Sequence, residues 1–150
     1  MLELRPARPE EGAVLTELCL RSKAFWGYDD AFMQACRKEL TLTPATIKAS
    51  QVQVAELEGR LVGVAEVKSV GTTAQLEKLF VEPALLRNGT GQRLFDWAKA
   101  AARAAGAIEL VIEADPEAAE FYRRMGAVDD GITPSRSIPG RSIPRLNLLL

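Results

Sequence analysis

The sequence predicts an α+β domain built on a mixed, mostly antiparallel sheet flanked by helices. Three observations carry this. Three β-rich segments follow one another with short glycine turns between them, helical stripes precede and follow them, and one continuous apolar strand comes after the later helical stretch. The expected order is β-α-α-β-β-β-α-β-α-β, with residues 1–150 read as a single domain.

Leu2 to Arg5 alternates apolar and polar residues and reads as a strand ended by Pro6 and Pro9, which also suit a helix start before Glu10-Glu11. Val14, Leu15, Leu18 and Cys19 form one helical stripe. Trp26-Gly27-Tyr28-Asp29-Asp30 interrupts it, with Asp29 or Asp30 placed to cap a second helix through Phe32, Cys36 and Leu40. Gln51 to Leu57, Leu61 to Val70 and Ala74 to Val81 then read as an antiparallel meander turning at Glu58-Gly59-Arg60 and Gly71-Thr72-Thr73. From Gly91 to Ala105 the period becomes helical, with Leu94, Trp97, Ala98, Ala101 and Ala105 on one face and Gly106 as a stop. Ile108 to Glu113 is an apolar strand. Asp115-Pro116 is expected to open a helix through Ala119 and Tyr122, closed by Gly126. Ala127 to Leu150 reads as a proline-interrupted loop and a last strand, Arg145 to Leu150. Within that loop Arg136-Ser137-Ile138-Pro139 recurs as Arg141-Ser142-Ile143-Pro144, with the residue before each proline pushed extended.

Composition narrows the function. A net charge of -1 gives no general attraction to nucleic acid or to an anionic membrane, so neither is an expected partner. The first residues carry no basic region followed by an apolar core, and no apolar run approaches the roughly 20 residues of a membrane helix, so a cytoplasmic location is expected. The two cysteines, Cys19 and Cys36, have no metal-ligand spacing and read as reduced, buried small hydrophobes. The absence of histidine rules out Ser-His-Asp and Cys-His nucleophiles and argues against a zinc centre; no metal is expected.

The stretch Val81-Glu82-Pro83-Ala84-Leu85-Leu86-Arg87-Asn88-Gly89-Thr90-Gly91-Gln92-Arg93-Leu94 runs from a strand through a glycine-bearing loop into a helix. Such a turn aims free backbone N–H groups at one spot, and the helix start adds partial positive charge, so a phosphate can be held without many lysines. The same glycines also serve a turn that merely starts a helix, and spacing alone does not separate the two. A P-loop would need Lys-Ser or Lys-Thr where Gln92-Arg93 stands, and a dinucleotide fingerprint a third glycine where Leu94 stands, so neither ATP nor NAD is expected.

Val81 to Leu94 resembles the acyl-CoA pyrophosphate loop of the GNAT superfamily of N-acetyltransferases, Arg/Gln-x-x-Gly-x-Gly/Ala. Asp115-Pro116-Glu117-Ala118-Ala119-Glu120-Phe121-Tyr122-Arg123-Arg124-Met125-Gly126-Ala127 resembles that superfamily's second motif, Asn-x-x-Ala-x-x-Phe-Tyr-x-x-x-Gly-Phe. The two occur in the expected order, separated by one helix and one strand, and the element order matches over almost the whole chain. Leu86 stands where the pattern has Arg or Gln, Asp115 replaces Asn and Ala127 replaces Phe.

The resemblance implies acetyl transfer from acetyl-CoA to a primary amine, directly within a ternary complex, the acceptor being a small molecule or an amino acid. A protein N-terminus or lysine is a weaker option, and a non-catalytic acyl-CoA-binding or regulatory module is the competing class. It further implies that Leu79, Phe80 and Val81 splay from the neighbouring strand and offer backbone groups to the pantetheine arm. The pyrophosphate would lie on Leu86, Arg87, Asn88, Gly89, Thr90, Gly91 and Gln92, with Arg87 or Asn88 substituting for the missing side-chain contact and Asp115 and Ala118 completing the cofactor site. Tyr122 falls on the family's general acid; a tyrosine of pKa about 10 can protonate a thiolate whose conjugate acid lies near 8.5. An amine of pKa about 10.4 must lose a proton before it attacks, and Glu77 is the candidate base, with a surface strand residue paired to Lys78 or Arg60 as the alternative reading. Trp26 and Tyr28, in the connection between the first two helices, and Arg141 are the candidate acceptor contacts, with core packing for Trp26, helix capping for Asp29 and a solvated loop position for Arg141 as the alternative readings. A homodimer is carried as one option for the assembly.

Overall fold

The computed structural model describes residues Met1–Leu150. Strand β1 (Leu2–Pro6) leads through a 3-10 turn at Pro9–Glu11 into α1 (Gly12–Ala24), α2 (Asp30–Leu40) and α3 (Pro44–Ala49). The meander β2 (Gln51–Leu57), β3 (Arg60–Val70) and β4 (Thr73–Val81) follows. A second 3-10 turn at Pro83–Leu85 then precedes α4 (Thr90–Ala104), β5 (Glu109–Glu113), α5 (Ala119–Arg124), β6 (Val128–Pro134) and β7 (Ser142–Leu149). The strands form one sheet in the order β1-β2-β3-β4-β5-β7-β6. Every neighbouring pair is antiparallel except β4 and β5, whose parallel pairing requires a crossover, supplied by α4. No helix is long and apolar enough to cross a membrane.

Each sheet face is covered by helices. On one, Phe95, Ala98 and Ala102 of α4 and Tyr122 of α5 pack on Val67, Ala74, Leu76, Leu110 and Ile112. On the other, Leu15, Leu18 and Cys19 of α1, Cys36 and Leu40 of α2 and Ile47 of α3 pack on Val52, Val54 and Val64. Burying each large aliphatic or aromatic side chain stabilises the fold by roughly 1.5–3 kcal/mol, so these two layers dominate its energetics. Gly63 on β3 sets how closely α4 approaches, since a Cβ there would stand 2.8 Å from Leu94. Both cysteines are buried, unpaired thiols; burial pushes Cys19 up to about 12 and raises Cys36 as well.

The meander, the capping of α2 by Asp29, whose Oδ1 accepts from the Phe32 N–H at 2.8 Å, and the α4 and β5 segments agree with the sequence reading. The differences lie elsewhere. Val14 is exposed, and the buried side of α1 adds Thr16 and Leu20 to the expected stripe. On α4, Phe95 and Ala102 are buried while Ala105 is exposed. The short α3 is an additional element, started by Thr43, whose hydroxyl accepts from the Thr46 N–H, and by Pro44 at its first turn. The segment read as a loop after Ala127 contains β6, an edge strand pairing with β7 alone and exposed along most of its length. Helix α5 starts at Ala119, with Ala118 and not Asp115 at its N-cap position; Asp115 instead accepts from the Glu117 N–H and opens the turn at 116–118 that precedes the helix.

Candidate active site

The parallel ladder between β4 and β5 runs only from Thr73↔Glu109 to Leu76↔Ile112. Beyond it, Glu77–Val81 has β3 as its only strand neighbour, which is the splaying expected at Leu79, Phe80 and Val81. A β-bulge lies at the point of divergence: Val67 faces Leu76 and Glu66 faces Lys78, leaving Glu77 as the extra residue. The bulge shifts the alternation of β4. Ala74, Leu76, Leu79 and Val81 serve the α4 side, while Glu77 and Lys78 both face a cleft on the opposite side.

The loop from β4 to α4 follows directly. Leu85 and Leu86 pack on Ala55, Val62, Val81 and Leu94, so the side chain at the position where Arg or Gln was looked for anchors the loop to the core. Arg87 has φ 71 and Gly89 φ 92, left-handed values that turn the chain sharply into the helix; Gly89 adopts its value without Cβ strain and Arg87 does not. The Asn88 carboxamide oxygen accepts from the Thr90 hydroxyl at 2.7 Å and from the Thr90 N–H at 3.3 Å, and Thr90 is buried. Of the two substitutes considered for the missing contact, Asn88 is therefore occupied in the loop, whereas Arg87 is exposed and enters no ion pair. The backbone N–H groups of Arg87, Gly89, Gly91 and Gln92 donate to no protein acceptor. Four free donors at the positive end of a 15-residue helix, with an unpaired arginine beside them, suit a pyrophosphate.

The second motif adjoins this loop. A Cβ on Gly91 would stand 3.6 Å from the Phe121 ring and 3.8 Å from Val81, so α5 closes on the start of α4. Tyr122 is buried, its ring 5.6 Å from Phe95 and 5.2 Å from Phe121, and no hydrogen bond holds its hydroxyl. Burial, with the nearby Asp115 carboxylate, raises its pKa well above the usual tyrosine value. Such a phenol stays protonated through the neutral range, and the same shift makes it a weaker acid than a free tyrosine. Ala118 is partly buried against the same core.

Asp115 departs furthest from expectation. Its carboxylate accepts from Lys23 Nζ at 2.9 Å, from the Tyr28 hydroxyl at 2.9 Å and from the Glu117 N–H at 2.9 Å. Burial pushes its pKa up, but Lys23 and these hydrogen bonds hold it below the ordinary aspartate value. Arg141 donates to the Tyr28 hydroxyl at 2.9 Å and stands 4.9 Å from the Phe32 ring centre, and Phe32 stacks on Tyr28 at 4.0 Å. Tyr28 and Arg141 thus meet on Asp115, tying the α1–α2 connection to the β6–β7 loop. Trp26 is not brought to them; it is partly exposed and packs edge-on against Phe25.

Glu77 lines a cleft of about 500 Å³ between α2, the centre of the sheet and the β6–β7 loop. Its carboxylate pairs with Arg136 at 3.0 Å, and not with Lys78 or Arg60. Lys78 instead forms a buried pair with Glu66 at 2.9 Å, and Ser50 donates to the same glutamate. Glu113 also lines the cleft, 3.5 Å from Arg136. The sequence reading passed over Lys23, Phe32, Glu66, Lys78, Glu113 and Arg136. Glu113, the charged end of an apolar strand, and Arg136, in the repeated Arg-Ser-Ile-Pro, carried a visible signal; the others show it only once folded.

Comparison with known proteins agrees with this geometry. The family model of the acetyltransferase (GNAT) domain matches residues 14–134. A GCN5-related N-acetyltransferase from Rhodopseudomonas palustris superposes with TM-score 0.81 at 26% identity, covering 99% of this chain and 95% of the other. The PaiA N-acetyltransferase from Thermoplasma acidophilum, solved in complex with coenzyme A, superposes with TM-score 0.83 at 16% identity, covering 100% and 99%. A ribosomal-protein alanine N-acetyltransferase from Escherichia coli gives TM-score 0.74 at 16% identity, covering 99% and 94%. No curated protein matches the sequence. The chain belongs to the GNAT acetyltransferases and is an acetyl-CoA-dependent acetyltransferase.

Proposed function

We propose that this GNAT-family enzyme acetylates the primary amine of a small molecule or amino acid by direct transfer, with residues 1–150 acting as one catalytic domain. The observation that carries the reading is the end of the β4–β5 ladder at Leu76↔Ile112, which brings an open strand edge, a loop with four free N–H donors and an unpartnered tyrosine hydroxyl into one region.

In this reading the pyrophosphate of acetyl-CoA is held by the N–H groups of Arg87, Gly89, Gly91 and Gln92 and by the Arg87 guanidinium, and the pantetheine arm runs along Leu79–Val81. Acetyl-CoA supplies the activated thioester. Glu77, at the bulge, takes the proton from the acceptor ammonium, directly or through water, freeing the nitrogen lone pair. As the carbon–nitrogen bond forms and the carbon–sulfur bond breaks, Tyr122 gives its proton to the leaving thiolate, and the second proton shed by the acylated nitrogen returns through water to the Tyr122 phenolate. The unpaired cysteines fit a reducing compartment such as the cytoplasm.

The test is a screen of amines and amino acids for coenzyme A release, with thermal melting as the binding readout. Acetyl-CoA at a hundredfold excess over Kd should stabilise the fold by about 2.7 kcal/mol, and ATP or NAD much less. Arg87→Ala should weaken coenzyme A binding several-fold. Equal stabilisation by all three nucleotides would reduce the loop to a general phosphate sensor, and binding without release across the panel would make the protein an acyl-CoA-binding module.

A further inference from the structure

The repeated Arg-Ser-Ile-Pro places two arginines on one loop, between β6 and β7. The loop is closed on itself by Ser135 N–H to Arg141 carbonyl at 2.7 Å and Arg141 N–H to Ile138 carbonyl at 3.2 Å. It is fastened by Ile138 against the α1–α2 core, by the Ser137 hydroxyl on Glu39, and by Arg141 on Tyr28. Arg136 is the member that reaches the cleft floor. Its Nη1 donates to Glu77, the candidate base, at 3.0 Å, and its Nε stands 3.5 Å from Glu113. The two carboxylates are deep, each side chain 18% exposed, while the arginine above them is 48% exposed. A base engaged by a guanidinium is not free to take a proton from an acceptor, so Arg136 must leave Glu77 in the reacting complex.

Charge determines what can replace it. The cleft is lined by four cations, Lys38, Lys68, Lys78 and Arg136, and four anions, Glu39, Glu66, Glu77 and Glu113. Lys78 and Glu66 neutralise each other in their buried pair. Withdrawing Arg136 leaves the remaining lining one positive charge short and takes from Glu77 and Glu113, both mostly buried, the cation they share. An ammonium group in the place of the guanidinium would restore the balance. A neutral acceptor does not, and an added carboxylate makes it worse. We propose that Arg136 is an internal occupant of the acceptor's ammonium seat on Glu77 and Glu113, so that the enzyme selects cationic amines without a carboxylate, which displace it. This rests on the acetyltransferase reading and narrows its acceptor to the small-molecule amines, setting the amino acids aside.

The opposite role for Arg136, clamping an acceptor carboxylate, gives opposite signs and is therefore separable. Three four-carbon probes, 1,4-diaminobutane, butylamine and 4-aminobutanoate, are tested as acceptors and, independently of turnover, as ligands by thermal shift on the wild type, Arg136→Gln, Arg136→Lys and Glu113→Gln. Removing the occupant should lower KM for the two cationic probes by about three- to tenfold and enlarge their thermal shifts, as expected for the loss of a partly exposed competing charge. Arg136→Lys should keep the wild-type KM within about twofold, and Glu113→Gln should raise it several-fold. The proposal is overturned if Arg136→Gln raises KM for the amines, if 4-aminobutanoate is the preferred probe, or if no thermal shift depends on residue 136. Thermal shifts that follow Arg136 without coenzyme A release would leave the seat standing and remove the acetyl-transfer reading, whereas release with the wrong sign at residue 136 would do the reverse.

Discussion

Tyr122→Phe isolates one oxygen atom. The ring packs against Phe95 and Phe121 and is retained in the variant, and the hydroxyl makes no hydrogen bond within the protein. A buried hydroxyl that had a partner would leave that partner unsatisfied on removal, at a cost of about 1–3 kcal/mol; here nothing is orphaned, so the stability change should stay within about 0.5 kcal/mol. For a chain of this size that is about 1–2 °C in Tm. The transition state should be affected far more. A positioned general acid contributes about 10²-fold or more, equivalent to about 2.7 kcal/mol in the barrier, and the proton is needed only as the carbon–sulfur bond breaks. The expected result is kcat about a hundredfold lower with coenzyme A affinity and Tm nearly unchanged. Coenzyme A release followed by a chromogenic thiol reagent and a melting curve on the same preparation measure both quantities. An unchanged kcat would remove Tyr122 from the mechanism and leave water as the proton donor, and a fall of several degrees in Tm with full activity would mark it as a structural tyrosine.

Three further outcomes follow from the geometry. Gly89→Ala should destabilise by about 1–2 kcal/mol because it forces a side chain to φ 92, whereas Gly91→Ala, whose methyl meets Phe121 at an ordinary 3.6 Å, should be close to neutral; urea denaturation compares them, and equal losses would refute the left-handed turn. Lys78→Met alone should cost about 3–5 kcal/mol by stranding Glu66 without its cation, and Glu66→Gln added to it should recover much of that loss; a neutral single variant would mean that Glu66 reaches solvent. On the alkaline side, burial and the Asp115 hydrogen bond hold Tyr28 up to about 12, above its unfolded value of about 10. That stabilisation is complete below pH 10 and is lost as pH rises from 10 to 12, so melting temperatures should fall across this window. Tyr28→Phe should flatten the fall without abolishing it, since Tyr122 is raised too.

Much of the fold was legible because it is written in local patterns. The meander shows as alternation broken at Gly59 and Gly71, which hold φ 81 and φ 60, and α4 as a glycine start followed by a 3.6-residue period. Strand β6 escaped notice for a physical reason: Val128-Asp129-Asp130-Gly131-Ile132 is an edge segment with little to bury, so it never needed a periodic face. Helix α3 had its start in plain sight at Thr43-Pro44 but too few residues to show a period. The site divides along the same line. The loop and Tyr122 are marked by contiguous residues. The bulge at Glu77 is a mismatch of register between two strands, and the pairing of Glu77 with Arg136 spans 59 positions, so neither has a local signature. At Asp115 only the bond from the Glu117 N–H is local; the other two partners, Lys23 and Tyr28, lie 92 and 87 positions away and leave no mark in the neighbouring sequence.

The placement of the two cysteines makes the native enzyme silent to the reagent that would follow its reaction. Cys19 and Cys36 are 0% and 1% exposed and are held as thiols by burial, so they neither ionise readily nor meet a disulfide reagent in the folded chain. Colour development during turnover therefore counts coenzyme A alone. Once the chain unfolds, two equivalents appear per molecule, and the same cuvette that records catalysis becomes a gauge of how much of each variant is still folded.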